Sequence, residues 1–266
     1  MGASVAEREA WEFEATLRVC GREPERVFER IAALRALAGC ALEPAGECEL
    51  RDVYLDTPDA RLRAARAGLR LRRRGAAGGP GVLTLKTGGS ARGLAVERAE
   101  WERPWGPGAA ARLAERLRAL GIEAPPGAEG EAGGEPLAAL RRLGLVVVQE
   151  RTTRRRTLWA RALPGGERVA EIALDRVAYP VAGRALLHHE VEIEAASPAD
   201  RECVTRLAHA LLDGLGADLA PWPHGKLALG RALAELAREG LPPGWIDAAG
   251  RAAPELYAAL SARLSR

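Results

Sequence analysis

A repeated combination of one apolar face and one charged face most strongly constrains how this chain can fold. In residues 12–19 (EFEATLRV), Glu12 and Glu14 alternate with Phe13 and Ala15. Because successive side chains of a strand point to opposite faces, this alternation predicts a strand. Further strands are predicted in the segments 68–74, 82–88, 96–105, 146–163, 168–180 and 185–196. A β-sandwich with a solvated polar face explains any one of them, but not the clustering of both charge signs on six or more.

The charged faces carry like charges two residues apart. The acidic sets are Glu12/Glu14, Glu100/Glu102 and Glu190/Glu192/Glu194, and the polar or basic sets are Arg70/Arg72, Thr84/Lys86 and Arg154/Arg156. Side chains at this spacing lie about 6–7 Å apart, and a hard divalent cation suits carboxylates that would otherwise repel. Paired arginines suit a polyanion because each guanidinium binds phosphate oxygens through two parallel donors. These faces therefore predict a surface that binds a metal–polyphosphate complex. If the strands close into a barrel, the charged faces would line its interior and helices would cover its apolar outside.

Helical spacing of apolar residues separates the strands. The segment 23–37 and the segment 197–216 are predicted helices, the latter with Ser197 and Asp200 at its N-terminus. Residues 107–145 read as a connection with two short helices around a flexible stretch at 124–136, and residues 75–81 as a turn-rich loop. We expect one domain over 10–235 and a short helical tail over 236–266.

Composition restricts the class of protein further. Charged residues make up 28% and hydrophobic residues 47% of the 266 positions, which excludes disordered and collagen-like classes. The four cysteines lack zinc-ligand spacing. No run of 18 apolar residues occurs, and acids occupy the N-terminal region where a signal peptide needs an apolar run. These features predict a soluble, cytoplasmic protein with no membrane partner.

The order of these motifs resembles the CYTH superfamily, the triphosphate tunnel metalloenzymes. The resemblance runs from about residue 10 to 235 and rests on the series EFE, YLDTPDARL, GLRLRRR, LTLKTGG, RAEWE, RTTRRRTLW, AEIALDRV, HHEVEIE and GKLALGRAL. It implies an α+β fold in which eight antiparallel strands close into a barrel with helices packed outside. It also implies a metal-dependent triphosphatase that uses Mg²⁺ or Mn²⁺.

The resemblance assigns roles to individual positions. The implied metal ligands are Glu12, Glu14, Glu171, Asp175, Glu190, Glu192 and Glu194. The implied phosphate-binding residues are Arg70, Arg72, Lys86, Arg98, Arg154, Arg156 and Lys226. The implied catalytic residues are Glu12 and Glu14 together with Glu100 and Glu102, which would hold cations or position water. One departure is clear: the family opens with Glu-x-Glu-x-Lys, and Thr16 stands where the lysine would be.

Several functions remain open at this level. The leading prediction is hydrolysis of inorganic triphosphate or a related linear triphosphate by a monomer or homodimer. A non-catalytic polyphosphate- or nucleotide-binding module is compatible with Thr16, and an adenylate cyclase belongs to the same family. Nucleic acid is not expected as the principal partner, because the acidic clusters would repel its backbone. His188 and His189 point to opposite faces of their strand and are expected at a solvated strand end.

Overall fold

The computed structural model of the chain describes residues 7–75, 81–125 and 135–265. Within these ranges the strands are β1 (Arg8–Val19), β2 (Ala36–Leu37), β3 (Cys40–Asp56), β4 (Gly68–Arg74), β5 (Val82–Arg92), β6 (Ala95–Pro104), β7 (Val146–Ala162), β8 (Arg168–Val181), β9 (Arg184–Ala195) and β10 (Leu219–Pro221). The α-helices are α1 (Pro24–Ala32), α2 (Arg61–Ala64), α3 (Ala109–Ala119), α4 (Pro136–Arg142), α5 (Arg201–Leu215), α6 (Lys226–Glu239) and α7 (Pro254–Leu264). The central parts of the predicted loop at 75–81 and of the flexible stretch at 124–136 lie outside the described residues.

Eight of the strands form a sheet that closes on itself. Their order is β1, β6, β5, β4, β3, β7, β8 and β9, and β9 pairs with β1 to complete the ring. The short strand β10 pairs with β1, and β2 pairs with β3. This arrangement confirms the predicted closed, eight-stranded antiparallel barrel with outer helices. Closure gives every strand of the ring two neighbours, so the ring has no unpaired edge.

The chain folds as two compact units, each assembled from separate segments. Unit 1 lies within Met1–Trp11, Leu50–Gly89 and Arg98–Glu150, and unit 2 within Glu12–Glu49, Ser90–Glu97 and Arg151–Arg266.

Over the ranges that the structure describes, no helix has the length and apolar character needed to cross a membrane.

The main core of unit 2 lies between strands and two helices. The apolar faces of β1, β7, β8 and β9 supply residues such as Leu17, Leu174 and Ile193, all almost fully buried. Helices α1 and α5 pack on this face through apolar residues at helical spacing, including Ile31 and Leu207. Because strand side chains alternate, the charged residues of these strands occupy the other face.

Unit 1 has a core of the same kind. Leu69 and Leu71 of β4 and Leu83 and Leu85 of β5 are buried with the apolar face of α3. The leucines alternate with the polar residues of both strands, as the sequence predicts. Helices α3 and α4 fall within the predicted connection at 107–145.

The C-terminal segment packs against β8 and β9 within unit 2 through a further apolar cluster. Leu229 and Leu233 of α6 and Leu256 and Leu260 of α7 are almost fully buried together with Tyr179 of β8. Helix α6 runs across residue 235, where the predicted domain ends and the predicted tail begins. The main chain of the tail also bonds to β9, because the Leu187 amide donates to the Gly250 carbonyl at 2.8 Å.

We predict that Gly250→Ala loosens the C-terminal segment. Gly250 has φ +80°, and a Cβ there would lie 2.6 Å from the Ala185 carbonyl oxygen and 3.0 Å from Leu187 Cγ. Overpacking of this kind costs about 1–3 kcal/mol, in addition to backbone strain. Gly244→Ala is the matched control, since Gly244 has φ +86° with no atom within 4 Å of the added Cβ. Urea unfolding should show a larger loss for Gly250→Ala, and equal losses would contradict the prediction.

Candidate functional site

Acidic side chains of three neighbouring strands of unit 2 meet on the face turned away from α1 and α5. Glu14 of β1 lies opposite Glu194 of β9, which lies opposite Glu171 of β8. Further along the same strands, Glu190 of β9 lies opposite Asp175 of β8. Like charges directly opposite each other destabilise a sheet, so this face needs positive partners.

Arg155 of β7 supplies the first positive partner. Its Nε and Nη2 donate to the two carboxylate oxygens of Asp175 at 2.8 and 2.6 Å, and Nη2 also donates to Glu192 Oε2 at 2.7 Å. Glu171 Oε1 lies 3.8 Å from its Nη1. Burial alone would raise the pKa of Asp175, but Arg155 and Lys226 hold it below the usual value. The carboxylates likewise keep the pKa of Arg155 well above its usual value, despite its burial.

Lys226, the first residue of α6, supplies the second positive partner. Its Nζ lies 3.0 Å from Asp175 Oδ2 and contacts Glu190 Oε1 and Glu192 Oε1. A lysine at the start of a helix is unfavourable, because the helix dipole is positive at that end. The three carboxylates offset this cost. They also raise the pKa of Lys226 above its usual value although burial opposes it, so the side chain stays protonated.

The same carboxylates form a donor set that fits a hard divalent cation. Asp175, Glu190 and Glu192 each present an oxygen, and these oxygens lie within 4.8 Å of one another. Carboxylate oxygens are the ligands that Mg²⁺ and Mn²⁺ prefer. Lys226 contacts all three residues, so its ammonium group competes with a cation for their oxygens.

Two buried histidines flank this cluster. His188 is fully buried, with Nε2 2.9 Å from Glu190 Oε2, whereas His189 packs against Phe28 and lies 3.3 Å from Glu25. The predicted opposite orientation of the two side chains is confirmed. The expected solvated strand end is wrong, because the C-terminal segment and α1 cover these positions.

A second charged cluster lies on the polar face of unit 1. Arg72 donates two parallel hydrogen bonds to Asp52, at 2.7 and 2.8 Å, and Lys86 Nζ lies 3.2 Å from Glu100 Oε2. The Arg70 guanidinium donates to the Thr84 hydroxyl at 3.1 Å, and this hydroxyl donates to Glu102 Oε1, also at 3.1 Å.

Glu102 is held ionised within this second cluster. Burial opposes its ionisation, but a hydrogen bond with Glu100 and the positive charges of Arg70 and Lys86 keep its pKa below the usual value. Arg98 shares the strand face of Glu100 and Glu102 by alternation on β6. Unit 1 therefore collects charges of both signs on one face, as unit 2 does.

The structure corrects the predicted face of β7. Arg154 is exposed, and Arg156 pairs with Glu29 of α1 at 3.0 Å and with Glu47 of β3 at 2.6 Å, on the side that carries the helices. The intervening Arg155, which the sequence interpretation did not select, faces the acids instead. Counting back in twos from buried Leu158 would have found it, since Leu158, Arg156 and Arg154 share one face.

The remaining predicted residues lie on the charged strand faces, except Lys226, which is the first residue of α6. Those in unit 2 are Glu12, Glu14, Glu171, Asp175, Glu190, Glu192, Glu194 and Lys226, and those in unit 1 are Arg70, Arg72, Lys86, Arg98, Glu100 and Glu102. Glu12 and Glu14 are buried on β1, with 5% and 7% of their surface exposed. Asp52, the partner of Arg72, was not predicted and pairs with it across β3 and β4.

Fold and site together define a closed β-barrel protein that gathers acidic and basic side chains on its charged strand faces. The chain belongs to the CYTH domain family, whose model matches residues 25–219. No curated protein sequence matches the chain at a significant level. The family match confirms the resemblance drawn from the motif series.

Solved structures with the same fold are distant in sequence. HpAC1 from Hippeastrum, described as a candidate adenylyl cyclase with a dominant triphosphatase activity, is 18% identical with a TM-score of 0.55, covering 87% of this chain and 98% of that one. A candidate adenylate cyclase from Bacillus halodurans is 18% identical with a TM-score of 0.48, covering 82% and 96%. A protein from Pyrococcus horikoshii is 16% identical with a TM-score of 0.46, covering 83% and 99%.

We predict that Lys226→Met destabilises the metal-free protein. Removing one partner of a buried ion pair costs about 3–5 kcal/mol, because the remaining charges lose their compensation. For a chain of this size that corresponds to a melting temperature lower by roughly 6–20 °C. Lys86→Met is the matched control, because its pair with Glu100 is more exposed and should contribute about 1 kcal/mol or less.

The measurement is thermal unfolding in EDTA, followed by titration with Mn²⁺. Mn²⁺ should restore more stability to Lys226→Met than to the unmodified protein, since the variant offers the cation an uncompensated donor set. A melting temperature unchanged by Lys226→Met in EDTA would contradict the prediction.

Proposed function

We propose that the protein hydrolyses inorganic triphosphate or a related linear triphosphate with the help of Mg²⁺ or Mn²⁺. The observation that carries this proposal is the set of carboxylates Asp175, Glu190 and Glu192, the first two of them buried, in contact with Arg155 and Lys226. Neither a cation site alone nor an anion site alone needs both sets of charges. A metal–polyphosphate complex needs both, because its cation seeks carboxylates and its phosphates seek guanidinium and ammonium groups.

The acidic residues of unit 2 are assigned to the cation. Asp175, Glu190 and Glu192 would hold it, and the neighbouring acids Glu12, Glu14, Glu171 and Glu194 provide further ligands. A bound divalent cation supplies Lewis-acid polarisation of a phosphoryl oxygen. Arg155 and Lys226, already in contact with these carboxylates, would bind and orient phosphate oxygens beside it. Phosphoryl transfer depends mainly on such positioning and charge stabilisation.

The basic residues of unit 1 are assigned to phosphate binding. Arg70, Arg72, Lys86 and Arg98 carry this role, and Glu100 and Glu102 would orient water or a cation. The bidentate pair with Asp52 fixes the plane of the Arg72 guanidinium, which limits the phosphate geometries that it can accept.

Thr16 is compatible with this assignment. In the sheet it lies directly opposite Glu192, whose Oε1 contacts Lys226 Nζ. Lys226 therefore already places an ammonium group next to the carboxylate that a lysine at position 16 would face. We infer that the replacement of the family lysine by Thr16 weakens the site less than the loss of a positive charge there would by itself suggest.

A binding module without turnover is the second candidate. It is favoured by one observation: Arg155 and Lys226 are both engaged with carboxylates, so a phosphate has to compete for them. The adenylate cyclase hypothesis has a weaker basis, because HpAC1, a solved neighbour described as a candidate adenylyl cyclase, is itself described as dominantly a triphosphatase.

The experiment measures phosphate release from inorganic triphosphate, ATP and pyrophosphate with Mg²⁺ or Mn²⁺. We predict metal-dependent release from triphosphate, reduced about 100-fold or more by Glu192→Gln, because the variant loses a carboxylate assigned to the cation that would stabilise charge on the phosphoryl oxygens. Glu47→Gln is the matched control. Both glutamates pair with an arginine of β7, Glu192 with Arg155 at 2.7 Å and Glu47 with Arg156 at 2.6 Å, but on opposite faces.

Each outcome separates the candidates. Release that Glu192→Gln abolishes and Glu47→Gln leaves intact supports the hydrolase. Tight triphosphate binding without release supports the binding module, and cyclic nucleotide with pyrophosphate from ATP supports the cyclase. Failure to bind either triphosphate or ATP with either metal would exclude all three.

A further inference from the structure

We propose that helix α7 positions the carboxylate of Glu190 through a buried hydrogen-bonded pair, Tyr257 and His188. The inference rests on the proposed function only for the cation that Glu190 would hold. Tyr257 lies beyond residue 219, where the match to the family model ends. Tyr257 therefore comes from the C-terminal segment outside the match, whereas His188 and Glu190 lie within it.

The contacts form a continuous path within unit 2. Tyr257 Oη lies 2.8 Å from His188 Nδ1, and His188 Nε2 lies 2.9 Å from Glu190 Oε2. The other carboxylate oxygen of Glu190, Oε1, contacts Lys226 Nζ. The two oxygens of Glu190 therefore have different partners. Oε2 bonds to His188, and Oε1 lies at the acidic cluster beside Lys226.

The direction of each hydrogen bond follows from the groups involved. Burial raises the pKa of Tyr257, so its hydroxyl stays protonated and can donate. Glu190 as a carboxylate can only accept, so His188 Nε2 must carry a proton. In the neutral form of the imidazole, Nδ1 carries no proton and accepts from Tyr257. The tyrosine therefore selects the one neutral tautomer that can donate to Glu190, as partners of metal-site residues commonly do.

The surroundings hold the imidazole in this orientation. His188 has no exposed surface, and its ring lies 5.7 Å from the rings of Trp222 and Tyr257 and 6.3 Å from that of Tyr179, between centroids. The guanidinium of Arg18 lies 4.1 Å from the Tyr257 ring centroid, within the range of a cation–π contact.

The C-terminal segment is anchored next to this pair. The amide of Leu187, which directly precedes His188, donates to the Gly250 carbonyl at 2.8 Å, and Arg184 donates to the Ile246 carbonyl at 3.1 Å. Leu256, the residue directly before Tyr257 in α7, is fully buried. These contacts hold helix α7 in the position from which the Tyr257 hydroxyl reaches the His188 imidazole.

The experiment measures Mn²⁺ binding by calorimetry at one fixed pH. Tyr257→Phe keeps the ring and removes the hydroxyl, and it should weaken Mn²⁺ binding about 10-fold, the lower end of what loss of an outer partner costs a metal site. His188→Gln retains an amide donor for Glu190 that needs no tyrosine. Adding Tyr257→Phe to His188→Gln should therefore cause little further loss, as a double-mutant cycle requires of coupled residues.

Arg263→Gln is the control for general loosening of α7. It removes ion pairs to Glu235 and Glu239 of α6, at 3.3 and 2.6 Å, without touching the tyrosine–histidine pair. It should leave Mn²⁺ affinity unchanged. A loss as large as that of Tyr257→Phe would overturn the proposal in favour of packing alone.

A spectroscopic measurement on the metal-free protein tests the same device without the cation. The ¹⁵N shifts of the His188 imidazole should report protonation at Nε2 alone, and Tyr257→Phe should produce a mixture of tautomers. An unchanged tautomer together with unchanged Mn²⁺ affinity in Tyr257→Phe would overturn the proposal. Mn²⁺ binding without triphosphate hydrolysis would defeat the proposed function and leave this inference standing.

Discussion

The structure of unit 2 depends on compensation of buried carboxylates. Asp175 and Glu190 have 0% and 1% of their surface exposed, and an isolated charge at such depth costs several kcal/mol. Arg155 and Lys226 offset that cost, and each contacts more than one carboxylate. Because one cation comes from β7 and the other from the start of α6, the charges tie a strand and a helix to the β8–β9 pair. The polar face is thereby held together by charge, while the opposite face is held by apolar packing on α1 and α5.

This compensation also explains why the site breaks local rules. A lysine at the positive end of a helix dipole and glutamates in register across strands are each unfavourable alone. Together they are compatible, since the helix end and the lysine are both positive and the strands present acids to them. Combinations that violate local preference and make sense only as a set are typical of functional sites. They also leave the acidic oxygens partly committed to internal cations, so metal and phosphate have to exchange with contacts that exist already.

The alternation of apolar and charged residues predicted much of the fold. Because successive side chains of a strand point to opposite faces, the alternation identifies both faces of each strand at once. The acidic faces of β1 and β9 follow from this alternation, whereas the closed eight-stranded ring was implied by the family resemblance of the motif series. The alternation failed at β7, where three consecutive arginines leave the register ambiguous and a slip of one residue exchanges the faces. Trp159 added to the ambiguity, since it lies on the same face as Arg155, opposite Glu171 of β8. Asp52 was missed for another reason: it precedes Val53 and Tyr54 with no second acid two positions away.

Contacts between distant parts of the chain lay beyond sequence reasoning altogether. His188 and Tyr257 are 69 residues apart, and neither position carries a spacing that points to the other. The covering of His188 depends on how α6 and α7 dock, which Leu229, Leu233, Leu256 and Leu260 decide through burial rather than through any motif. An apolar cluster with no chemistry of its own thus determines the environment of a histidine next to the acidic site. The C-terminal segment therefore contributes to the surroundings of the polar cluster, although the match to the family model ends at residue 219, before this segment.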